Sequence, residues 1–472
     1  MTYTVEKIGG TSMSAFDAVL DNIILRPKDP YNRVFVVSAY GGMTDVLLEN
    51  KKNGKPGVYQ LIAKRDDTWG EALAQVERQM LLVNENIFAD PMSRMRADKY
   101  IRSRIAEAKN CISNILDTCR YGQFSLRHYL PQIREFLSSI GEVHSAYNSA
   151  LKLKTLGINA TFVDLSGWDC QKPLTLDETI AEAFEEIDVT KELPIVTGYA
   201  YTKDGLMKTY DRGYSEMTFS RIASITNADL AIIHKEYHLS SADPRIVGTD
   251  QVLPIGKTNF DVADQLASLG MEAIHPNAAA GLRQSGIQLQ IKNTFEPEHP
   301  GTSISSDYNP ETDKIEIIAG KEKVFALHLF DQTIVGQVDN VSYDLMQIIA
   351  EARVNLIGKE MNANSITYYL GGNEEALNKV LYRAEKRYPN ASIKGRMVAL
   401  ISVIGSQIDT NKTLTKGVLS LMENDVTPIA VHSSMRNVNV QFVVADSEYQ
   451  QTICALHKVF CLPQNEPQAL TA

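Results

Sequence analysis

The chain has 472 residues, 44% of them hydrophobic and 22% charged, a globular composition too long for one compact core, so two or three domains are expected. Lys and Arg number 47 against 57 Asp and Glu, and the net charge of −10 excludes the global basic field that would hold nucleic acid or an anionic membrane. Five cysteines without a CxxC fit neither a disulfide framework nor a zinc site and suit a reducing, cytoplasmic setting, and the chain shows neither a signal-peptide pattern nor an apolar run of about 20 residues.

From the start to about residue 305, short apolar runs alternate with helical patterns, the signature of a parallel sheet covered by helices. Strands are expected at Tyr3–Lys7, Arg33–Ser38, Ala160–Asp164, Leu193–Gly198, Leu230–Lys235 and Ile287–Lys292. Ligands in such a sheet bind beyond the carboxyl ends of the strands, so the residues just after each run matter most. The first run enters Lys7-Ile8-Gly9-Gly10-Thr11-Ser12. Its glycines let backbone N–H groups approach a phosphate, with Ser12 or Ser14 as cap of the next helix, although a plain tight turn is the commoner use of such a pair. The Lys precedes the glycines, so this is not a Walker A loop. The second run ends at Ser38 and continues through Gly41-Gly42 to Thr44, which offers donors to a carboxylate or phosphate, or simply opens a capped helix.

Residues 55–155 are mostly helical in pattern, the clearest helix following Pro131 and stopping at Gly157. Gly141 and Glu142 lie inside it. A mid-helix glycine costs about 1 kcal/mol relative to alanine, so something packs close to the backbone there, a site element or another helix. A Lys203–Gly205 hairpin then leads to Arg212-Gly213-Tyr214-Ser215-Glu216. Ser215 reads as an N-cap, Arg212 as a fork for a carboxylate and Glu216 as a first-turn acid. His234 and His238 are four apart but sit on a strand and a loop, so they do not form a metal pair; Cys111 and Cys119 read as buried small apolar residues. After the turn-rich Glu296–Ser305, two weakly similar units begin at Lys323 and Met397, each strand, helix, strand, strand, helix. The expected fold is α/β, an open sheet covered by helices over 1–305, plus two ferredoxin-like α+β regions over 306–395 and 396–472, with a regulatory or dimerising role for the second half.

In order, VEKIGGTSM, VFVVSAYGGMTD, the Gly141-Glu142 helix, the Arg212-Gly213-Tyr214-Ser215 turn, SADPR and SLGMEAIHP resemble the aspartate kinases of the amino acid kinase family, and the two C-terminal units look like their paired ACT domains. RGYSEMTFS is similar to a divergent branch associated with ectoine synthesis. The resemblance implies an amino acid kinase-like fold and transfer of the ATP γ-phosphoryl group to the side-chain carboxylate of L-aspartate, with Mg2+ bridging phosphates. It further implies a homodimer or larger homo-oligomer through the ACT domains, one of which is inserted in the other.

By the same resemblance Lys7, with Gly9 and Gly10, stabilises the transferring phosphoryl group, and Ser38, Thr44 and Ser215 hold aspartate. Glu142 meets the α-ammonium and Arg212 a carboxylate. Glu216 stands where the family has Asp, in a catalytic positioning role. His234-Lys235 stand where the family has Thr-Asp, and Glu272 where it has Lys; the double reversal suggests that Lys235 and Glu272 exchange roles as an ion pair near ATP, with Arg245 on a phosphate. Segments 330–343 and 405–414, where ACT domains commonly bind effectors, lack the usual Pro-Gly pattern. Two alternatives stand beside this reading: a kinase of another acidic metabolite, and a non-catalytic amino acid sensor.

Overall fold

The computed structural model describes residues 2–50, 54–170, 172–269, 271 and 273–462, apart from the side chain of Arg212. It divides into two compact units, 1–239 with 274–306, and 240–273 with 307–472. Residues 240–273, expected in an unbroken catalytic domain, thus group with the C-terminal half. Among the described residues no helix is long and apolar enough to cross a membrane.

The strands of the first unit are β1 (Thr4–Ile8), β2 (Arg33–Val37), β3 (Ala160–Val163), β4 (Leu193–Thr197) and β5 (Leu230–Lys235). A short β6 (Lys257–Asn259) belongs to the second unit, and β7 (Gln288–Asn293) and β8 (Thr302–Ser305) complete the first. They lie in the order β3-β4-β2-β1-β5-β7-β8, parallel except for the last pair. All six expected strands form, within a residue or so at each end. Their near-continuous apolar runs, with Val5, Val34, Val36, Ile195, Val196, Ala231 and Ile233 fully buried, suit a sheet covered on both faces. The chain leaves β1 toward β2 on one side and returns as β5 on the other, so a crevice opens at the carboxyl end of β1. Alternation sends Lys7 and Glu6 to opposite faces.

The helix expected after Pro131 spans Leu126–Thr155, with Pro131 inside it. Leu126 is only 4% exposed, and its burial anchors the turn that precedes the proline. Gly157 ends it at φ +83°, a conformation that costs glycine little. The expected Lys203–Gly205 hairpin is instead a turn into a short helix, Leu206–Tyr210, which Gly205 opens at φ +83°. Cys119 is buried as expected, but Cys111 is exposed.

In the second unit, β9 (Ile317–Phe330), β10 (Asn355–Met361), β11 (Ser365–Gly371), β12 (Ser392–Ile404), β13 (Ala430–Ser433) and β14 (Asn439–Ala445) form one antiparallel sheet in the order β10-β11-β9-β12-β14-β13. The two long strands serve both ferredoxin-like motifs. β11 pairs with the later half of β9, Phe325 to Phe330, and β14 with the later half of β12, Val398 to Ile404. Ile317 to Gly320 also pairs with that half of β12. The first motif is therefore threaded between the opening strand of the second and its continuation. Phe325, Leu327 and Leu329 of β9 face one helix-covered core and Ile401, Val403 and Phe442 another.

Candidate active site

The site lies where β1, β2 and β4 end. Lys7, on β1, is 7% exposed, and its Nζ is 3.3 Å from Glu216 Oε1. Glu216 sits in the first turn of the helix Tyr214–Ile225, and its other oxygen accepts the backbone N–H of His275. Burial pushes the Glu216 pKa up, yet the charges of Lys7 and Lys235 and the His275 N–H outweigh it and hold the carboxyl below its ordinary value. Lys235, expected at the nucleotide, thus acts on the same carboxylate as Lys7.

Gly9 gives its N–H to the His234 carbonyl at 3.1 Å and so continues the sheet. The N–H of Gly10 instead opens the short helix Gly10–Ser14. A Cβ at Gly10 would stand 2.8 Å from the Ala39 carbonyl oxygen, so only glycine lets the two turns lie this close. The expected serine cap is absent: Gly9 holds the N-cap position without a side-chain bond, and Ser14 Oγ accepts the N–H of Gly41 at 2.8 Å, tying the first turn to the second.

Lys7, Gly10, Ser38, Thr44, Glu142 and Ser215 line one cavity of about 300 Å3. Ser38 and Ser215 hydroxyls are 3.4 Å apart, and Ser145 Oγ donates to the Ser38 carbonyl at 2.9 Å. Ser215 is not the N-cap; that position belongs to Gly213, and Ser215 turns its hydroxyl into the cavity from inside the helix. Gly141 packs against the loop after β2, where an added Cβ would stand 2.7 Å from the Ala39 Cβ, so the mid-helix glycine serves the site rather than a helix contact.

Glu142 is 2% exposed. Tyr214 donates its hydroxyl to Oε1 at 2.6 Å, while Oε2, also buried, has no partner among the described residues. Burial pushes the Glu142 pKa up to about 7, against the pull of the Tyr214 bond, of the nearby backbone N–H groups of Glu142 and Ala39, and of the Lys7 charge. Thr44 hydrogen-bonds Tyr214 in turn, and Tyr199 meets the Tyr214 ring edge-on at 5.8 Å. Tyr214 therefore joins Thr44 to Glu142, a role that nothing in the local sequence pattern marks.

Behind Tyr40, the helix Trp69–Ile87 reaches this loop. Asn84, fully buried, accepts from His144 Nε2 at 2.7 Å and from Asn148 Nδ2 at 2.8 Å, and donates to Asp98 at 2.9 Å. Burial pushes the His144 pKa down to about 3, so its ring is neutral. Asn84→Ala is expected to strand these partners at a cost of about 2 kcal/mol and to lower the melting midpoint by several degrees. An unchanged melting curve would show the network to be dispensable.

The opposite face of the sheet bears a wider groove of about 700 Å3. Its buried acid, Glu6, is already paired, 2.6 Å from Arg33 and 2.7 Å from His234. Burial would push the Glu6 pKa up, but Arg33 and His234 hold it well below the carboxylate range. This pairing gives His234 a buried partner on the sheet, and it leaves Glu6 no demand for a ligand. His238 turns to Glu296 at 3.0 Å, so the two histidines serve different carboxylates.

Arg212 lies in the turn Asp211–Gly213 just before the Glu216 helix; its side chain, and all of Glu272, fall outside the described residues. Arg245 belongs to the second unit, where its NH2 is 2.6 Å from Asp243 and its side chain is 87% exposed.

A profile of the amino acid kinase family matches residues 2–293. The aspartate kinase Ask_Ect of Stutzerimonas stutzeri strain A1501 is 46% identical over 475 aligned residues, spanning all of both chains. Among solved structures, the aspartate kinase of Clostridium acetobutylicum shares the fold with a TM-score of 0.65 at 22% identity, covering 98% of this chain and 100% of that one. E. coli aspartokinase III, solved in complex with aspartate and ADP, does so with a TM-score of 0.70 at 18% identity over 96% of this chain and 99% of that one. With the family profile covering β1 to β7, and 46% identity running the whole length, this chain belongs to the amino acid kinase family, among its aspartate kinases.

Proposed function

We propose that the cavity at the end of β1 binds L-aspartate beside the γ-phosphate of ATP and transfers that phosphoryl group to the side-chain carboxylate, giving 4-phospho-L-aspartate and ADP. The observation that carries this reading is the pairing, in one cavity, of a lysine held by a carboxylate with a buried carboxylate that lacks a partner on one oxygen. Phosphoryl transfer asks a protein for positioning and charge stabilisation rather than covalent chemistry. Lys7 supplies charge to the phosphoryl oxygens and Glu216 holds its ammonium in place. Gly10 opens a helix toward the phosphates, and Lys235 adds a second cation at Glu216.

At the acceptor, the unpartnered oxygen of Glu142 suits an α-ammonium, which restores the ionised form that burial disfavours. Ser38, Thr44 and Ser215 offer hydroxyls to the carboxylates, with Arg212 as their fork. Among the described residues no group of three or more His, Cys, Asp or Glu could hold a metal ion. Magnesium would accompany the triphosphate and offset its charge. Roles for Gly9, Arg245 and Glu272 at ATP rest on the family resemblance alone. So do homo-oligomerisation through the ACT-like sheet and a cytoplasmic setting. A place at the head of aspartate-derived amino acid or ectoine synthesis is supported by the identity to Ask_Ect.

Incubation with Mg-ATP and hydroxylamine tests the assignment. Aspartyl hydroxamate is expected with L-aspartate and not with glutamate or N-acetyl-L-aspartate, which lacks the ammonium. Equal turnover of N-acetyl-L-aspartate would remove Glu142 from the recognition scheme, and silence with every substrate would favour a sensor.

A further inference from the structure

The six-stranded sheet of the second unit packs its helix-covered cores against one face, and its other face is curled. Flat, its two edge strands would stand about 24 Å apart at roughly 4.8 Å per strand. Instead His432 on β13 lies 4.0 Å from Glu360 on β10, at the opposite edge, and shares a 3.1 Å hydrogen bond with Tyr369 on β11. The curled face encloses a cavity of about 480 Å3 with an apolar floor of Ala326, Val398 and Val443. The mouths of curled and closed sheets are common places for small ligands.

A polar row crosses this face in register. Glu360 pairs with Thr367, Thr367 with His328 and His328 with Lys394, and one step along the strands Tyr369, Ala326 and Arg396 form the next row. His328 Nδ1 and Thr367 Oγ1 are 3.0 Å apart, so that pair is satisfied. Lys394 and Arg396 are two apart on β12 and share a face; neither side chain makes an ion pair or hydrogen bond with a described residue. The one carboxylate lining the cavity, Glu360, sits across the row beside His432. Two open cations on one wall, with hydroxyls, an amide and an imidazole around them, face a single carboxylate across the cavity, which leaves the wall an excess of positive charge.

We propose that this cavity binds a small anion carrying two or more negative charges, a polycarboxylate or a phosphate compound, through Lys394 and Arg396. The anion lies over the junction of the two ferredoxin-like motifs, because β10 and β11 belong to the first and β13 and β14 to the second. The site is independent of the kinase reading, and loss of either would leave the other standing.

The test is calorimetric titration of the full-length protein with citrate and, separately, with inorganic phosphate. Mg-AMPPNP and L-aspartate are present in excess throughout, so that the nucleotide and acceptor sites are filled. One anion per chain is expected for at least one probe, with affinity that falls as sodium chloride is raised. The double variant Lys394→Glu, Arg396→Glu is expected to abolish binding while keeping the wild-type circular dichroism spectrum. Glu360→Gln, which removes the opposing charge, is expected to tighten binding several-fold, an outcome that misfolding does not produce. Absence of binding to the wild-type protein by either probe, or binding that survives the charge reversal, or a Glu360→Gln variant with weaker affinity, would overturn the proposal.

Discussion

Replacing Lys7 by alanine is expected to lower kcat by about 10²- to 10³-fold while changing the KM for ATP far less, because the charge acts on a phosphoryl group in transit. Lys7 is nearly buried, and its ammonium is fixed by Glu216 rather than by solvent. Arginine at this position carries the charge but not the compact shape, so Lys7→Arg is expected to recover little. Glu216→Gln tests the positioning half of the pair. It leaves the lysine charged but loosens its hold, and a fall in kcat of about tenfold or more, again with little change in KM, is the expected result. Steady-state kinetics on the three variants check both statements. A Lys7→Ala enzyme with near-normal kcat would place the phosphoryl-stabilising charge elsewhere.

The second large effect belongs to Glu142. Glu142→Gln keeps the shape and can still accept from Tyr214, but it offers the substrate ammonium no charge, and kcat/KM for L-aspartate is expected to fall by about 10²-fold or more. In the wild-type enzyme the carboxyl, raised to about 7 by burial, is increasingly protonated below that pH. The KM for aspartate is therefore expected to climb, by up to about tenfold per pH unit, as pH falls below 7. Stability runs the other way. A carboxyl whose folded-state pKa is raised contributes no penalty below its ordinary 4.5, and the penalty of ionising it grows as pH rises and is complete above about 7. At about 1.4 kcal/mol per unit, Glu142→Gln should gain up to about 3 kcal/mol at pH 8 and little near pH 5. A variant that melts higher than wild type only at the higher pH, and binds aspartate poorly, would show burial of this charge to be a functional cost. A variant destabilised equally at both values would contradict it.

The strands and their ends are readable because a buried parallel strand is a local signal: Leu230–Lys235 stands as expected, and Lys7, Ser38 and Glu142 do converge. The features that escape are set by distance along the chain. Glu6, Arg33 and His234 form one buried cluster, although His234 is 228 residues from Glu6. No period or turn residue encodes such a meeting, so the His in place of Thr looks like a change at the nucleotide rather than a partner for an acid. Asn84 carries no local mark in the helical pattern of residues 55–155, yet it anchors the residues behind Tyr40. Ser215 reads as a cap because hydroxyls commonly cap helices, whereas the two-residue offset from Gly213 aims it at Ser38. The shared long strands of the second unit are hidden because the sequence pattern starts each motif at Lys323 and Met397, whereas β9 begins at Ile317 and β12 at Ser392.

The most direct measurement is 31P NMR of the wild-type protein with Mg-ATP and either L-aspartate or L-asparagine. Asparagine retains the ammonium and the α-carboxylate but lacks the acceptor carboxylate. An acyl phosphate resonance that grows with aspartate as the ATP γ-phosphate signal declines, and that is absent with asparagine, is the predicted result. Acyl phosphate from both amino acids, or orthophosphate and ADP alone, would contradict phosphorylation of the aspartate side chain in this cavity.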